Sequence, residues 1–254
     1  MTTTDPLSQT EIERYQRHIL LSEIGGAGQQ RLKNSAVLVI GAGGLGSPVI
    51  EYLAGAGVGT IGIVDDDRVS LSNLQRQMIH GTSHIGERKT RSAAARVREL
   101  NPHVEVDRHE LRLDADNAAG LVFGHDLIVD GSDNAPTRYA VADAAERAGI
   151  PLVTGAVGRF DGSVTVLKPY EAGPDGQLFP RYRDLFPEEP PEGMLPACSE
   201  TGIVGALTGV IGTLMAMEAI KVLTGIGEPL VGRLMMYDAL AARFDVIRYR
   251  RRKA

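Results

Sequence analysis

Ser35-Ala36-Val37-Leu38-Val39-Ile40 runs straight into Gly41-Ala42-Gly43-Gly44-Leu45-Gly46, and this stretch decides the fold. Ala36 to Ile40 is apolar at successive positions, so both faces of an extended segment are apolar, the pattern of a buried parallel strand. The glycines then satisfy Gly-x-Gly-x-x-Gly directly after that strand and before a helical stretch from Leu45 to Ala56. Thr60 to Val64 reads as a second strand and closes on Asp65-Asp66-Asp67, completing a βαβ unit. Gly41, Gly43, Gly44 and Gly46 make the tight turn and let backbone N–H groups face phosphate, to which the helix N-terminus adds roughly half a positive charge. Asp65 lies 19 residues after Gly46, where a carboxylate can accept hydrogen bonds from ribose hydroxyls. A nucleotide is the reading. The turn does not say which one, and glycines used only for helix–strand packing would leave the same pattern.

Working outward, Glu11 to Leu21 reads as a short helix, and Glu87 to Leu100 as a helix ended by Asn101-Pro102. Val104 to Val106 and Asp126 to Asp130 read as strands. Ala135 to Ala148 is a helix stopped by Gly149, and Pro151 to Thr154 a further strand. Strands and helices that alternate in this way predict an α/β fold, a Rossmann-like doubly wound parallel sheet with helices on both faces. After Gly155 the pattern changes. Gly162 to Leu167 is a strand with no helix before it, so antiparallel pairing is expected. Pro169 to Pro196 holds seven of the chain's 13 prolines and predicts irregular structure. Ile203 to Leu223 reads as a helix, with Leu234 to Tyr237 and Arg243 to Arg248 as closing antiparallel strands. No repeat or linker divides the chain, so one domain over 1–254 is expected, with a nucleotide-binding part at about 30–155.

Composition narrows the class. Of 254 residues 43% are hydrophobic and 23% charged, which excludes fibrous and disordered chains. With 27 basic and 32 acidic residues the net charge is −5, so a globally basic nucleic-acid binder is not expected. The single cysteine, Cys198, rules out an internal disulfide and a multi-cysteine metal site. Met1 to Leu7 lacks the basic patch and apolar core of a secretory signal. The longest stretches without acidic or basic residues, Asn34 to Ile50 and Thr201 to Met217, fall short of the ~20 apolar residues that span a bilayer and are broken by glycines. A cytoplasmic protein with no nucleic-acid and no membrane partner is the expectation.

Which nucleotide binds depends on what surrounds the turn. A dehydrogenase needs a hydride-handling acid or base, and the six histidines are scattered. Instead Ser70-Leu71-Ser72-Asn73-Leu74-Gln75-Arg76-Gln77 follows Asp65, and Lys89 opens a helix. Gly131-Ser132-Asp133-Asn134 lies just past the Asp126–Asp130 strand, on the sheet edge where ligands bind. A glycine turn, two cations and a carboxylate converging on one crevice suit a triphosphate with Mg²⁺, Asp133 holding the metal through oxygen. Plainer readings stand beside this. Arg76 and Lys89 can be solvated surface charges, and Asp133-Asn134 can serve only to cap the next helix.

At this point the sequence resembles the MoeB/ThiF/HesA family, bacterial relatives of ubiquitin-activating enzymes. The likeness rests on Arg14-Tyr15-Gln16-Arg17-His18-Ile19-Leu20, the glycine turn, Asp65 to Asp67, Ser70 to Gln77, Lys89, Asn101-Pro102 and Asp130 to Asn134. Farther on it rests on Cys198 to Val204, Gly209-Val210-Ile211-Gly212 and Met217 to Lys221. The resemblance implies an adenylyltransferase that uses ATP and Mg²⁺ to activate the C-terminal glycine of a small ubiquitin-like sulfur carrier ending in Gly-Gly. Residues from about 156 to 250 would then form the carrier-binding part. The same resemblance implies that Gly44, Asp65 and Asp67 bind nucleotide, that Ser72, Asn73, Arg76 and Lys89 contact ribose and phosphates, and that Asp133 with Asn134 serves the metal and its triphosphate. Arg17 would reach a neighbouring site across a homodimer. From the sequence alone, an amphipathic helix face is the plainer reading of Arg17.

Two departures from the family stand out. Many relatives carry two Cys-x-x-Cys pairs that hold a structural zinc. Here Arg181 and Asp184 occupy the first pair's positions, and the chain ends in Arg248 to Ala254 with no second pair. A tetrahedral zinc needs four ligands, so no structural zinc is expected, and a looser loop over Pro169 to Pro196 is. Cys198 aligns with a cysteine that bonds the carrier covalently in some relatives, yet a free cysteine also serves as a small buried hydrophobe. The motif set leans toward the molybdopterin pathway. The thiamine-thiazole carrier, a tRNA-modifying dehydratase of the same superfamily and an NAD-dependent oxidoreductase are the alternatives.

Overall fold

The computed structural model describes residues 5–190 and 202–252. Three short helices, α1 (Gln9–Arg14), α2 (Gln16–Ile19) and α3 (Gly25–Asn34), lead into β1 (Ala36–Ile40), α4 (Gly46–Ala56) and β2 (Thr60–Val64). A loop with 3-10 turns at Leu71–Asn73 and Thr82–His84 precedes α5 (Lys89–Leu100) and β3 (Glu105–His109). Then come α6 (Ala118–Val122), β4 (Leu127–Asp130), α7 (Ala135–Ala148) and β5 (Leu152–Val157). These five strands are parallel in the order β3-β2-β1-β4-β5, so the winding reverses between β1 and β4. β6 (Asp161–Leu167) turns back antiparallel on β5. After α8 (Tyr182–Leu185) and α9 (Gly205–Thr224), β7 (Arg233–Asp238) and β8 (Arg243–Arg248) extend the sheet antiparallel. The expected doubly wound sheet with an antiparallel extension is the observed one.

The apolar run of β1 serves two cores. Val37 and Val39 join Val49, Ile50 and Leu53 of α4, Val97 of α5 and Ile211 and Met215 of α9 on one face. Leu38 and Ile40 join Ala118 and Val122 of α6 and Val141 and Ala145 of α7 on the other. Each fully buried Val, Leu or Ile contributes about 1.5–3 kcal/mol relative to exposure, which anchors β1 at the middle of the sheet. By length and composition α9, with 20 residues, could cross a membrane. In this fold it is a core helix. Leu207, Ile211, Met215 and Ala219 are buried, and Glu218 accepts from the Leu230 N–H at 2.8 Å and pairs with Lys221.

Several elements differ from the expectation. The Glu11–Leu21 helix is broken at Tyr15, whose hydroxyl accepts from Asn101 Nδ2 at 2.8 Å while the backbone leaves helical geometry (φ −96°, ψ 12°). Helix α3 contains Gly25, Gly26 and Gly28, poor helix formers. Tertiary contacts hold it: Gln29 is fully buried and donates to the Ala56 carbonyl at 2.8 Å. Strand β3 runs on to His109, α5 starts at Lys89, and α6 was not expected.

The proline-rich stretch is irregular as far as residue 190 apart from α8, yet it is tied down. The Asp184 carboxylate, 1% exposed, accepts from the Arg181 N–H at 2.8 Å, from Arg181 Nη2 at 3.2 Å and from the Arg252 N–H at 3.1 Å. Arg251 Nη1 donates to the Pro169 carbonyl at 2.9 Å. Over the described residues, hydrogen bonds join this loop to the C-terminal segment, and residues 191–196 of the stretch expected to be looser lie outside the described residues. Burial pushes the Asp184 carboxyl up, but the Arg181 guanidinium and the two backbone N–H groups outweigh it and hold it below the usual range.

Candidate functional site

Ile40 and Asp130 stand side by side at the ends of β1 and β4, where the strand order reverses. Ligands of open α/β sheets bind beyond the carboxyl ends of strands at such a switch point. Here a cavity of about 330 Å³ opens, lined on one side by Gly41, Gly43 and Gly44 and on the other by Gly131 to Asn134. Gly41 has φ +88°, which lets the chain turn sharply out of β1. Gly46 lies behind the turn and off the cavity wall. A Cβ there would fall on the Gly41 carbonyl, so this glycine closes helix α4 onto the turn.

The charged residues converge as expected. Asp65 follows β2, and its Oδ2 accepts from the Ala42 N–H at 2.9 Å while its Oδ1 accepts from the Asp67 N–H at 2.9 Å. The first residue of α5, Lys89, is buried, with Nζ 2.8 Å from Asp67 Oδ2 and 3.9 Å from Asp65 Oδ2. Burial raises the Asp65 carboxyl above its ordinary value, and the Lys89 charge and the two backbone N–H groups pull against that rise. Arg76 lines the same cavity and rests its guanidinium on the Ser72 carbonyl at 3.0 Å.

Asn134, not Asp133, caps α7. Its Oδ1 accepts from the Thr137 N–H at 3.0 Å, which satisfies an orphan donor of the first turn. Asp133 is exposed and lines the cavity, and among the described residues no donor meets its carboxylate. The loop carrying it is rigidly held. Buried Asp130 accepts from the Ser132 N–H at 3.0 Å, Ser132 Oγ at 2.6 Å and Thr154 Oγ1 at 3.1 Å, and Arg138 Nη2 donates to the Ser132 carbonyl at 2.6 Å. No cluster of three metal-ligating side chains occurs among the described residues. Mg²⁺ usually takes one or two carboxylates and completes its shell with substrate phosphates and water, so Asp133 fits that ion.

The cavity therefore gathers Gly41, Gly43, Gly44, Asp65, Asp67, Arg76, Lys89, Asp133 and Asn134. Ser72 and Asn73 stand aside in the 3-10 turn, where Ser70 Oγ and Ser72 Oγ are 3.0 Å apart and Asn73 Oδ1 accepts from the Ser70 N–H at 3.2 Å. Arg17 is exposed on α2, outside its own chain's cavity, and Cys198 lies outside the described residues. Gln77, Arg112, Arg138, Val157 and Thr208 also line the wall without having been singled out from sequence. Arg138 had a signal, four residues after the helix cap. Thr208 had none, because only folding brings α9 against Gly44. Val157 and Thr208 also carry the cavity beyond the 30–155 segment.

Chemically, the pocket offers a backbone cradle, the cationic side chains of Arg76, Lys89, Arg112 and Arg138, and the carboxylates of Asp65, Asp66, Asp67 and Asp133, a set suited to a polyphosphate. The chain is 52% identical over 245 residues to the probable adenylyltransferase/sulfurtransferase MoeZ of Mycobacterium tuberculosis, covering 96% of this chain and 62% of that protein's length. It is 49% identical over 244 residues to the sulfur carrier protein adenylyltransferase of Thermus thermophilus, covering 96% of this chain and 89% of that one. In shape it is similar to a crystal structure of E. coli MccB with ATP, at TM-score 0.79 and 21% identity over 94% of this chain and 72% of that one, a likeness of fold alone. The ThiF family model matches residues 15–254, and at this extent and identity the chain belongs to the ThiF family.

Proposed function

We propose that this chain adenylates the C-terminal carboxylate of a small ubiquitin-like sulfur carrier ending in Gly-Gly, with ATP as the second substrate. The observation that carries the reading is the convergence of the glycine turn, Arg76, Lys89 and Asp133, which does not cap α7, on one cavity at the sheet's switch point. The relatives' names support the carrier: one is called a sulfur carrier protein adenylyltransferase, and another a SAMP-activating enzyme E1 from Haloferax volcanii, 49% identical over 244 residues.

The chemistry asks for alignment and charge stabilisation more than for covalent help. Asp65 receives the ribose hydroxyls, and the glycine turn and Lys89 hold the phosphates. The carrier's carboxylate oxygen attacks the α-phosphorus, the bond to the bridging oxygen breaks, and pyrophosphate leaves with its electron pair. Arg76 and Lys89 neutralise the charge that grows on that leaving group. Asp133 would hold Mg²⁺, which supplies further charge neutralisation on the phosphates when bound. Arg17, exposed on α2, is read as a residue given to the neighbouring site in a homodimer. Molybdopterin synthesis is the favoured pathway, with the thiazole carrier second. Mass spectrometry of candidate carriers after incubation with chain, ATP and Mg²⁺ tests the reaction. A carrier that gains one AMP at its terminal glycine supports it, and none that does so refutes it.

A further inference from the structure

His80 is 6% exposed, lies behind the glycine turn rather than on the cavity wall, and takes no part in the reaction above. Its Nε2 is 2.9 Å from the Ala42 carbonyl oxygen and its Nδ1 is 2.9 Å from Ser92 Oγ of α5. A carbonyl can only accept, so Nε2 carries the proton, Nδ1 accepts, and the Ser92 hydroxyl donates. Ala42 is held from its other side as well, because its N–H donates to Asp65 Oδ2 at 2.9 Å. Two successive peptide groups of the turn are thus each pinned by a buried side chain. The Ala42–Gly43 peptide is trans. With its C=O turned toward His80, its N–H points away from His80, and Gly43 is a residue of the cavity wall.

The surroundings keep this imidazole neutral. Burial is the largest influence, and the Lys89 charge on α5 and the neighbouring His84 add to it. Together they outweigh the bond to Ala42 and push His80 down to about 4. A neutral ring in one tautomer is a fixed brace, not a proton carrier.

We propose that His80, braced by Ser92, is a positioning residue for the phosphate-binding turn, setting the Ala42–Gly43 peptide so that the Gly43 N–H is presented to the phosphates of the nucleotide. This rests on the nucleotide reading of the cavity.

Calorimetric ATP affinity of the full chain, measured beside thermal unfolding for wild type, His80→Gln and His80→Leu, tests it. The glutamine carboxamide can donate near the place of Nε2, whereas leucine fills the volume without a donor. His80→Leu is expected to lose about tenfold in ATP affinity, and His80→Gln to keep the wild-type value. Equal affinity in His80→Leu and wild type, or equal losses in both variants, would overturn the proposal. A wild-type chain that binds no ATP overturns the nucleotide reading and this proposal together, whereas ATP binding indifferent to His80→Leu overturns this proposal alone. Should His80→Leu fail to fold, nitrogen NMR of the wild-type ring decides. An Nε2–H tautomer that persists from about pH 8 to 5.5 supports the brace, and an Nδ1–H tautomer or a midpoint near the ordinary histidine value of about 6.5 overturns it.

Discussion

Lys89 places its Nζ 3.9 Å from Asp65 Oδ2, with the two side chains only 6% and 9% exposed. The pair joins the start of α5 to the end of β2 beneath the glycine turn. It sets the charge of the cavity floor, because burial drives the Asp65 carboxyl up and Lys89 opposes that drive.

Replacing Lys89 by Met leaves a buried carboxylate without its cation, a loss of about 1–3 kcal/mol at neutral pH. Asp65 already has a raised pKa in the folded chain, so the native state binds its proton more readily than the unfolded state does. Stability carried by such a group falls as pH rises. Without Lys89 the rise is larger. Melting temperatures of Lys89→Met and wild type should therefore lie farthest apart near neutral pH and converge on acidification, and a constant gap would argue against the coupling.

Asp133 and Asn134 are neighbours in sequence with separate work in the fold, which makes them a clean contrast. Asn134→Ala removes the α7 cap and should cost about 1 kcal/mol of stability, with a loss of ATP turnover much smaller than that of Asp133→Ala. Asp133→Ala removes a carboxylate that no donor meets among the described residues. It should leave the melting temperature unchanged while turnover falls by about a hundredfold or more. Thermal unfolding and steady-state rates on both variants check this. Equal effects of the two substitutions would contradict the division of labour.

Much of this site was legible before folding. Ala36 to Ile40 is apolar on both faces because the strand is buried on both, and the glycines follow at once, so β1, the turn and β2 could be placed from residue types alone. Which of Asp133 and Asn134 would cap was not legible, since either side chain can accept the N–H bond. Nor were contacts made at long range. Asp184 meets the Arg252 N–H across 68 positions, His80 meets Ala42 across 38, and a glycine-rich α3 is helical because Gln29 finds the Ala56 carbonyl. Such bonds follow from the sheet order, and short-range pattern carries no trace of them.

Glu11 forms a capping box with Ser8 and an ion pair of 2.8 Å with Lys33. Burial pushes its carboxyl up, but the bonds from Lys33 and Ser8, with the Lys33 charge, prevail and hold it at about 2. A depressed acid contributes stability above its unfolded pKa of 4.5 and loses it as pH falls toward 2. Glu11→Gln should thus be less stable than wild type by about 3 kcal/mol at neutral pH. Denaturant titrations should show the difference vanishing near pH 2, and a difference that survives there would mean that packing, not ionisation, is responsible.

Asp184→Asn should release the C-terminal segment from α8, because the asparagine amide cannot match a carboxylate that takes donors from both Arg181 and Arg252. Amide exchange from Tyr249 to Arg252 is expected to speed up by about tenfold or more, with the exchange of β1 amides unchanged. Unaltered exchange at the tail would show that the tether is dispensable.

The most direct test of the central claim is ATP–pyrophosphate exchange catalysed by the full chain, run with candidate sulfur carriers and with the same carriers shortened by their terminal Gly-Gly. Exchange that requires one intact carrier, and that disappears in Asp133→Ala, is the expected result. Exchange that ignores the Gly-Gly tail, or none with any carrier, would contradict carboxylate adenylation in this cavity.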